Sequence, residues 1–220
     1  MPHPDTRIAM PPTTVVLFLA LLLGLQPVTT DLYLPALPGL TQELGAAMSQ
    51  AQLTLTALLL AFGVSQLIWG PLSDRFGRRP ILLLGMAAYV VASIGSALSP
   101  TIEALVVWRT LQGAAMGAAV MCARAIVRDL YQPVQGASVM SKGLSGLGVI
   151  ACTTAPLGGF LTAMFSWHAA LLALAVFGAV TLALIAWKFE ETVRQKNPKA
   201  LQGRTLVLTW ISILRNPTFL

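Results

Sequence analysis

Few side chains in this sequence can do chemistry, and two of them sit where a charge is expensive. Asp31 and Arg109 each lie inside a long apolar run, in "TTDLYLP" and "VVWRTLQG". A carboxylate offers a proton site and a guanidinium a fixed positive charge. Gln112 follows Arg109 by one helical turn and adds an amide; Thr29 and Thr30 add hydroxyls beside Asp31. A second concentration is "GPLSDRFGRRP", Gly70 to Pro80. Here Asp74, Arg75, Arg78 and Arg79 separate two neutral stretches, with no Asp, Glu, Lys or Arg from Leu44 to Ser73 or from Pro80 to Ile102. Cys122 and Cys152 have no metal-ligand spacing around them and read as small packing residues. His3 and His168 are far apart in sequence. No nucleophile–base constellation, phosphate-binding glycine loop or paired catalytic carboxylates occurs. The expectation is therefore no enzyme, no catalytic residue, no metal and no cofactor.

The elements that must position these residues follow from composition. The chain is 56 % hydrophobic and 10 % charged, with mean hydropathy +0.76, against about 25 % charged for a soluble domain. A bilayer core about 30 Å thick is crossed by about 20 helical residues. Six runs of that order are present, near 14–37, 50–70, 80–98, 103–123, 138–161 and 167–187. Each must be helical, because lipid offers backbone N–H and C=O groups no partner. The first run exceeds a signal-peptide core and continues through "PVTTDLYLPALP" with no small-residue cleavage site.

Six spans put alternate loops on alternate sides. Of the fourteen Lys and Arg, all but Arg109 fall on one side or at its interface: the N-terminus, the turn near 71–80, the loop 124–137 and the tail from Lys188. Loops rich in Lys and Arg stay in the cytoplasm, so both ends are expected there. The net charge of +6 is then a topology signal, and no nucleic-acid partner is needed. Gly70, Pro71 and Gly77 let the chain reverse at once, and Pro80 suits the first turn of the next helix. The expected organisation is residues 1–13 as a cytoplasmic N-terminus, 14–187 as a six-helix bundle and 188–220 as a polar cytoplasmic segment. Within that segment, Arg204–Leu214 reads as a short interfacial helix.

"GPLSDRFGRRP" resembles the loop 2–3 signature of the major facilitator superfamily, G-x-L-[SA]-D-[RK]-x-G-[RK]-[RK], at every specified position and between the expected spans. "RTLQGAAMGAA", Arg109 to Ala119, resembles the span-four motif of drug:proton antiporters. "TTAPLGG", Thr153 to Gly159, resembles their span-five motif, with Pro156, Gly158 and Gly159 in place and Ala155 where a glycine is usual. "TTDLYLPALP" and "ARAIVRDLY" are similar to the bicyclomycin-resistance, or Bcr/CflA, type; Ser166-Trp167-His168 departs from its usual Gly-Trp-Arg. The resemblance implies an all-α membrane fold, the N-terminal half of a twelve-span carrier built as a 3+3 inverted repeat. It implies multidrug efflux by alternating access at a bacterial inner membrane. The implied partners are a small amphipathic drug, protons, the lipid bilayer and a second six-span half. A facilitator of sugars or metabolites, and a truncated chain without transport of its own, are the alternatives. The resemblance also implies that Asp74 meets a helix N-terminus of the second half when the cytoplasmic side is closed.

Asp31 and Arg109 lie about six residues from the outer ends of spans one and four, each roughly 9 Å deep at 1.5 Å per residue. Equal depth permits a pair. A carboxylate beside Arg⁺ keeps its charged form and takes a proton when separated or desolvated, so a variable Asp31–Arg109 distance would couple protons to conformation. Gln112, Thr30 and Met116 are expected at the substrate cavity, with Met121, Phe62 and Leu59 as further candidates. Asp129 is the expected partner of Arg78 or Arg75. Gly113 and Gly117 read as a helix-packing pair, and Trp167 and Trp187 as interfacial anchors.

Overall fold

The computed structural model describes residues 10–193. The expected helix at 204–214 and the basic residues Arg7, Arg194, Lys196, Lys199, Arg204 and Arg215 lie outside them. All regular structure among the described residues is helical: α1 (Pro12–Asp31), a 3-10 turn (Leu34–Ala36), α2 (Leu37–Glu43), α3 (Met48–Phe76), α4 (Arg78–Ala97), α5 (Ile102–Leu130), α6 (Pro133–Met164) and α7 (Trp167–Lys188). α1, the turn and α2 form one rod, giving six rods long and apolar enough to cross a membrane. They are spans one to six.

Local chemistry sets the boundaries. Pro35 and Pro38 disfavour α-helix in the residues before them, and the first rod tightens to a 3-10 turn there. Gly45, at φ 59°, turns the chain into α3. Gly77, at φ 106°, ends α3 while its N–H donates to the Ser73 carbonyl at 3.0 Å. The Thr101 hydroxyl caps α5 by accepting from the Ala104 N–H at 3.3 Å, and Pro133 opens α6. The helices outrun the apolar segments on the side of the arginines. α3 continues to Phe76, and the loop expected over 124–137 shrinks to Tyr131 and Gln132. Nothing in "RAIVRDL" breaks a helix, so α5 continues until the turn before Pro133. Arg75, Arg78, Arg79, Arg124 and Arg128 gather at this end of the bundle, the basic end.

Apart from α4 with α5, the main packing partners are not neighbours along the chain. The most extensive pairs are α3 with α5, α4 with α5, α1 with α6, and α4 with α7. Exchanging spans one with four, two with five and three with six turns the two–four pair into the five–one pair and leaves three–six unchanged. Those two follow the relation a 3+3 repeat imposes, whereas the three–four pair departs from it, since its counterpart, six with one, packs far less extensively. Small residues make both exchanged contacts close. A Cβ on Gly113 would overlap the Leu58 carbonyl of α3, and one on Gly117 the Ser65 hydroxyl. A Cβ on Gly158 would overlap the Leu32 carbonyl at the end of α1. Gly113 and Gly117 therefore pack helices, as their spacing predicts. α3 and α6 leave apolar sides outward, with Leu60, Val64, Leu67, Val149 and Phe160 exposed.

Candidate functional site

Arg109, on α5, is fully buried. Its NH1 donates to Gln112 Oε1 at 2.7 Å and its NH2 to the Thr29 carbonyl at 3.2 Å. The guanidinium carbon stands 4.1 Å from the centroid of the Tyr33 ring. Thr29 can lend its carbonyl because α1 ends at Asp31, which puts that carbonyl in the last turn, where helix acceptors outnumber helix donors. The contacts extend into a network over four spans. Gln112 Nε2 donates to Ser93 Oγ at 2.6 Å, and Ser93 Oγ donates to the Tyr89 carbonyl at 2.7 Å. Thr29 Oγ1 spends its proton on the Leu25 carbonyl at 2.5 Å, so in the 2.7 Å contact with Tyr89 the phenol is the donor. By the same reasoning Thr54 donates to the Ala51 carbonyl at 2.6 Å and accepts from the Tyr33 hydroxyl at 2.8 Å. A cation stripped of water costs several kcal/mol unless compensated. Here the compensation is an amide, a carbonyl and an aromatic face, and of the side-chain polar atoms named in this network Arg109 Nε alone is left without a hydrogen-bond partner among the described residues.

Asp31 is not part of this network. Its half-buried carboxylate accepts from its neighbour Thr30 Oγ1 at 2.9 Å, and no ion pair joins it to Arg109 among the described residues. The pair expected from equal depth is therefore open in this conformation. The reason is angular. Thr29 points to Tyr89, and at 100° per residue Asp31 leaves the helix about 200° further round. Gln112 is likewise committed, to Arg109 and Ser93, and is fully buried rather than lining a cavity. Met116 is also fully buried, in the apolar core with Leu58, Met86 and Leu22, which corrects its assignment to a substrate cavity. Thr30 is half-buried beside Asp31.

At the basic end the turn is held by ion pairs. Arg78 is buried, with its NH2 2.7 Å from Asp74 Oδ1, its Nε 2.9 Å from Asp129 Oδ2, and its NH1 donating to Ser73 Oγ at 2.6 Å. Asp129 thus meets Arg78 and not Arg75, which lies exposed with its guanidinium over the Phe76 ring. Asp74 is also approached by Arg128 at 3.7 Å. Glu191, just past α7, caps α4: its carboxylate accepts from the Arg78 N–H at 2.8 Å and the Arg79 N–H at 3.2 Å. Arg79 donates to the Ala186 carbonyl at 3.0 Å. A Cβ on Gly77 would overlap the Glu191 carboxylate, and the φ of 106° disfavours any side chain there. A Cβ on Gly70 would come within 3.2 Å of the Met121 methyl. Sequence reasoning missed Glu191, Tyr33, Tyr89, Ser93 and Thr54. Each sits in a segment whose composition has an ordinary explanation, and only the fold brings them to a charge.

On α6, Pro156 is exposed within the helix and Gly159 has open space around it, whereas Gly158 is the close contact to span one. At the end opposite the basic one, Trp167 is buried and donates to Glu43 Oε2 at 2.8 Å, so it staples span six to α2 instead of anchoring at an interface. Trp187 is 78 % exposed, as an anchor would be.

Six apolar rods long enough to cross a membrane, holding a buried charge, define a multi-pass helical bundle of the facilitator type. The chain belongs to the Major Facilitator Superfamily, which it matches over residues 19–220. It is 38 % identical over 178 residues to a chloramphenicol resistance protein of Pseudomonas aeruginosa, covering 81 % of this chain and 42 % of that one. It is 33 % identical to multidrug resistance protein D of Escherichia coli, over 79 % of this chain and 44 % of the other. A bicyclomycin resistance protein homolog of Haemophilus influenzae is 30 % identical, over 89 % and 50 %. The chain spans about half the length of these relatives. Among solved structures, the human organic anion transporter MFSD10 superposes with a TM-score of 0.71 at 25 % identity, over 94 % of this chain and 55 % of that one. The proton:xylose symporter XylE gives 0.70 at 18 %, over 93 % and 49 %, which is a likeness of fold.

Proposed function

We propose that this chain is the first six-span half of a drug:proton antiporter that exports small amphipathic compounds by alternating access. The supporting observation is the separation of the two intramembrane charges. Arg109 is locked in a buried network, while Asp31, on the same rod as its Thr29 partner, is half-buried and free of any cation among the described residues. A fixed charge with a nearby uncommitted carboxylate suits proton exchange: Asp31 can load and release a proton while Arg109 stays in place. A static ion pair would give neither. Resistance proteins among the relatives support a drug as cargo.

In this reading the basic end faces the cytoplasm of a bacterium, and the outward apolar sides of α3 and α6 meet lipid and a second six-span half. Asp74 belongs to the switch between states. Its tie to Arg78 is 42 % exposed on the carboxylate side, so it remains available to a helix N-terminus of that second half. The test is export of a neutral drug from vesicles by the full-length carrier, with and without an imposed proton gradient. The native carrier should accelerate with the gradient, and Asp31→Asn should lose the acceleration while still binding drug. Gradient-driven export by Asp31→Asn would place the proton elsewhere.

A further inference from the structure

A cleft of about 640 Å³ opens at the basic end, between the start of α1, the start of α4 and the end of α7. Volumes of this order hold organic ligands rather than bare ions. Its walls are of two kinds. Met10, Phe189 and the exposed Trp187 supply an apolar side, at the level where α1 and α4 begin and α7 ends. Arg79 and Lys188 supply the charged side.

Three sources of positive potential converge there. The Arg79 guanidinium donates through NH2 to the Ala186 carbonyl, and its Nε has no partner among the described residues. Lys188 is exposed, with its Nζ 4.7 Å from the centroid of the Trp187 ring, at the rim. The first turn of α1, bordered by Pro11 and Thr14, carries no side-chain cap and no acidic residue; Pro11 and Pro12 bring no N–H and the Thr14 N–H is bonded to the Pro11 carbonyl, so the helix start adds the positive end of its dipole and the Thr13 amide. Glu191 also borders the cleft, but its carboxylate is taken up by the amides at the start of α4. Among the described residues, Glu190 is the one acid left at the rim.

We propose that this cleft is a binding site for the phosphate of a phospholipid headgroup. The phosphate sits against Arg79, Lys188 and the start of α1, and the acyl chains leave along Trp187. Basic residues at a membrane surface attract lipid phosphate, and an exposed tryptophan beside them marks the headgroup level. A lipid seated here would tie spans one, three and six together at one end. Free phosphate shares the chemistry but makes no use of the apolar wall.

The test uses the whole 220-residue chain in detergent with a short supply of phosphatidylglycerol, and counts retained lipids by native mass spectrometry. Arg79→Gln with Lys188→Gln should lower retention about tenfold or more. Arg124→Gln with Lys142→Gln removes two exposed charges outside the cleft and should leave it unchanged. Lys188→Glu alone touches no backbone contact and should lower retention in a chain that folds normally. Glycerol phosphate at matching concentration should not displace the lipid. Equal losses in both double variants would overturn the site, as would unaltered retention in Lys188→Glu; displacement by glycerol phosphate would overturn the lipid as its ligand.

Discussion

The two acids that grip Arg78 should differ sharply in what they contribute. Arg78 has 3 % of its side chain exposed; Asp129 has 18 % and Asp74 42 %. Truncating one member of a buried pair strands a charge and costs about 3–5 kcal/mol, whereas an exposed pair is worth about 0–1 kcal/mol. Arg78→Ala should therefore destabilise the chain by about 3 kcal/mol, at the lower end because Asp129 keeps some water. The loss includes the donor to Ser73 Oγ, although that hydroxyl still donates to the Gly70 carbonyl at 2.8 Å. In double-mutant cycles the Arg78–Asp129 coupling should be about 2–3 kcal/mol and the Arg78–Asp74 coupling below about 1 kcal/mol. The assay is reversible unfolding in mixed micelles of Arg78→Ala, Asp129→Asn, Asp74→Asn and the two double variants. An Asp74 coupling equal to or larger than that of Asp129 would refute the reasoning. It would also remove the basis for a loosely held Asp74 that can change partners.

Three further outcomes are expected. Gly113→Ala drives a Cβ into the Leu58 carbonyl, so α3 and α5 must separate, at about 1–3 kcal/mol; a thermal-unfolding midpoint equal to the native one would contradict that contact. Tyr33→Leu removes both the ring under Arg109 and the hydroxyl bonded to Thr54, and should cost about 3 kcal/mol, about 2 for the desolvated cation–π contact and about 1 for the hydrogen bond. Tyr33→Phe keeps the ring and should cost about 1 kcal/mol for the bond to Thr54, so equal losses in the two variants would discount the ring. For orientation, a reporter fused after Arg79 should read as cytoplasmic and one after Gly45 as periplasmic, and the reverse pattern would overturn the placing of the basic end.

The six spans were legible because lipid leaves the backbone only one solution and because the neutral runs are long. The turn at Gly77 was legible for the same kind of reason: a glycine and a proline at fixed places permit little else. The Arg109 site was only half legible. Its depth could be counted, but its partners depend on rotation about the helix axis and on which spans lie side by side. The pair with Asp31 satisfied the depth count and is not formed, since carbonyls and aromatic faces compete for a guanidinium and leave no mark in composition. Met116 illustrates the same limit: a flexible apolar residue beside a polar network suits either a cavity wall or a packed core, and neighbours from α3 and α4 decide for the core. Glu191 was hidden by distance along the chain, since it lies more than a hundred positions from the amides it caps.

The pairing of α1 with α6 bears on how the protein is made. α1 is among the most enclosed of the rods, and the helix it packs against most extensively is α6. From Asp31 to Pro133 the ribosome must add about 100 residues, which takes roughly 5–20 s at about 5–20 residues per second. Throughout that interval the first span has been synthesised without its main neighbour, with Thr29, Thr30 and Asp31 on its sides. The same holds for α3, which waits for α5. Biogenesis therefore requires a place beside the translocation machinery where an early span with polar side chains can be stored, and the last triplet of helices completes the burial of the first.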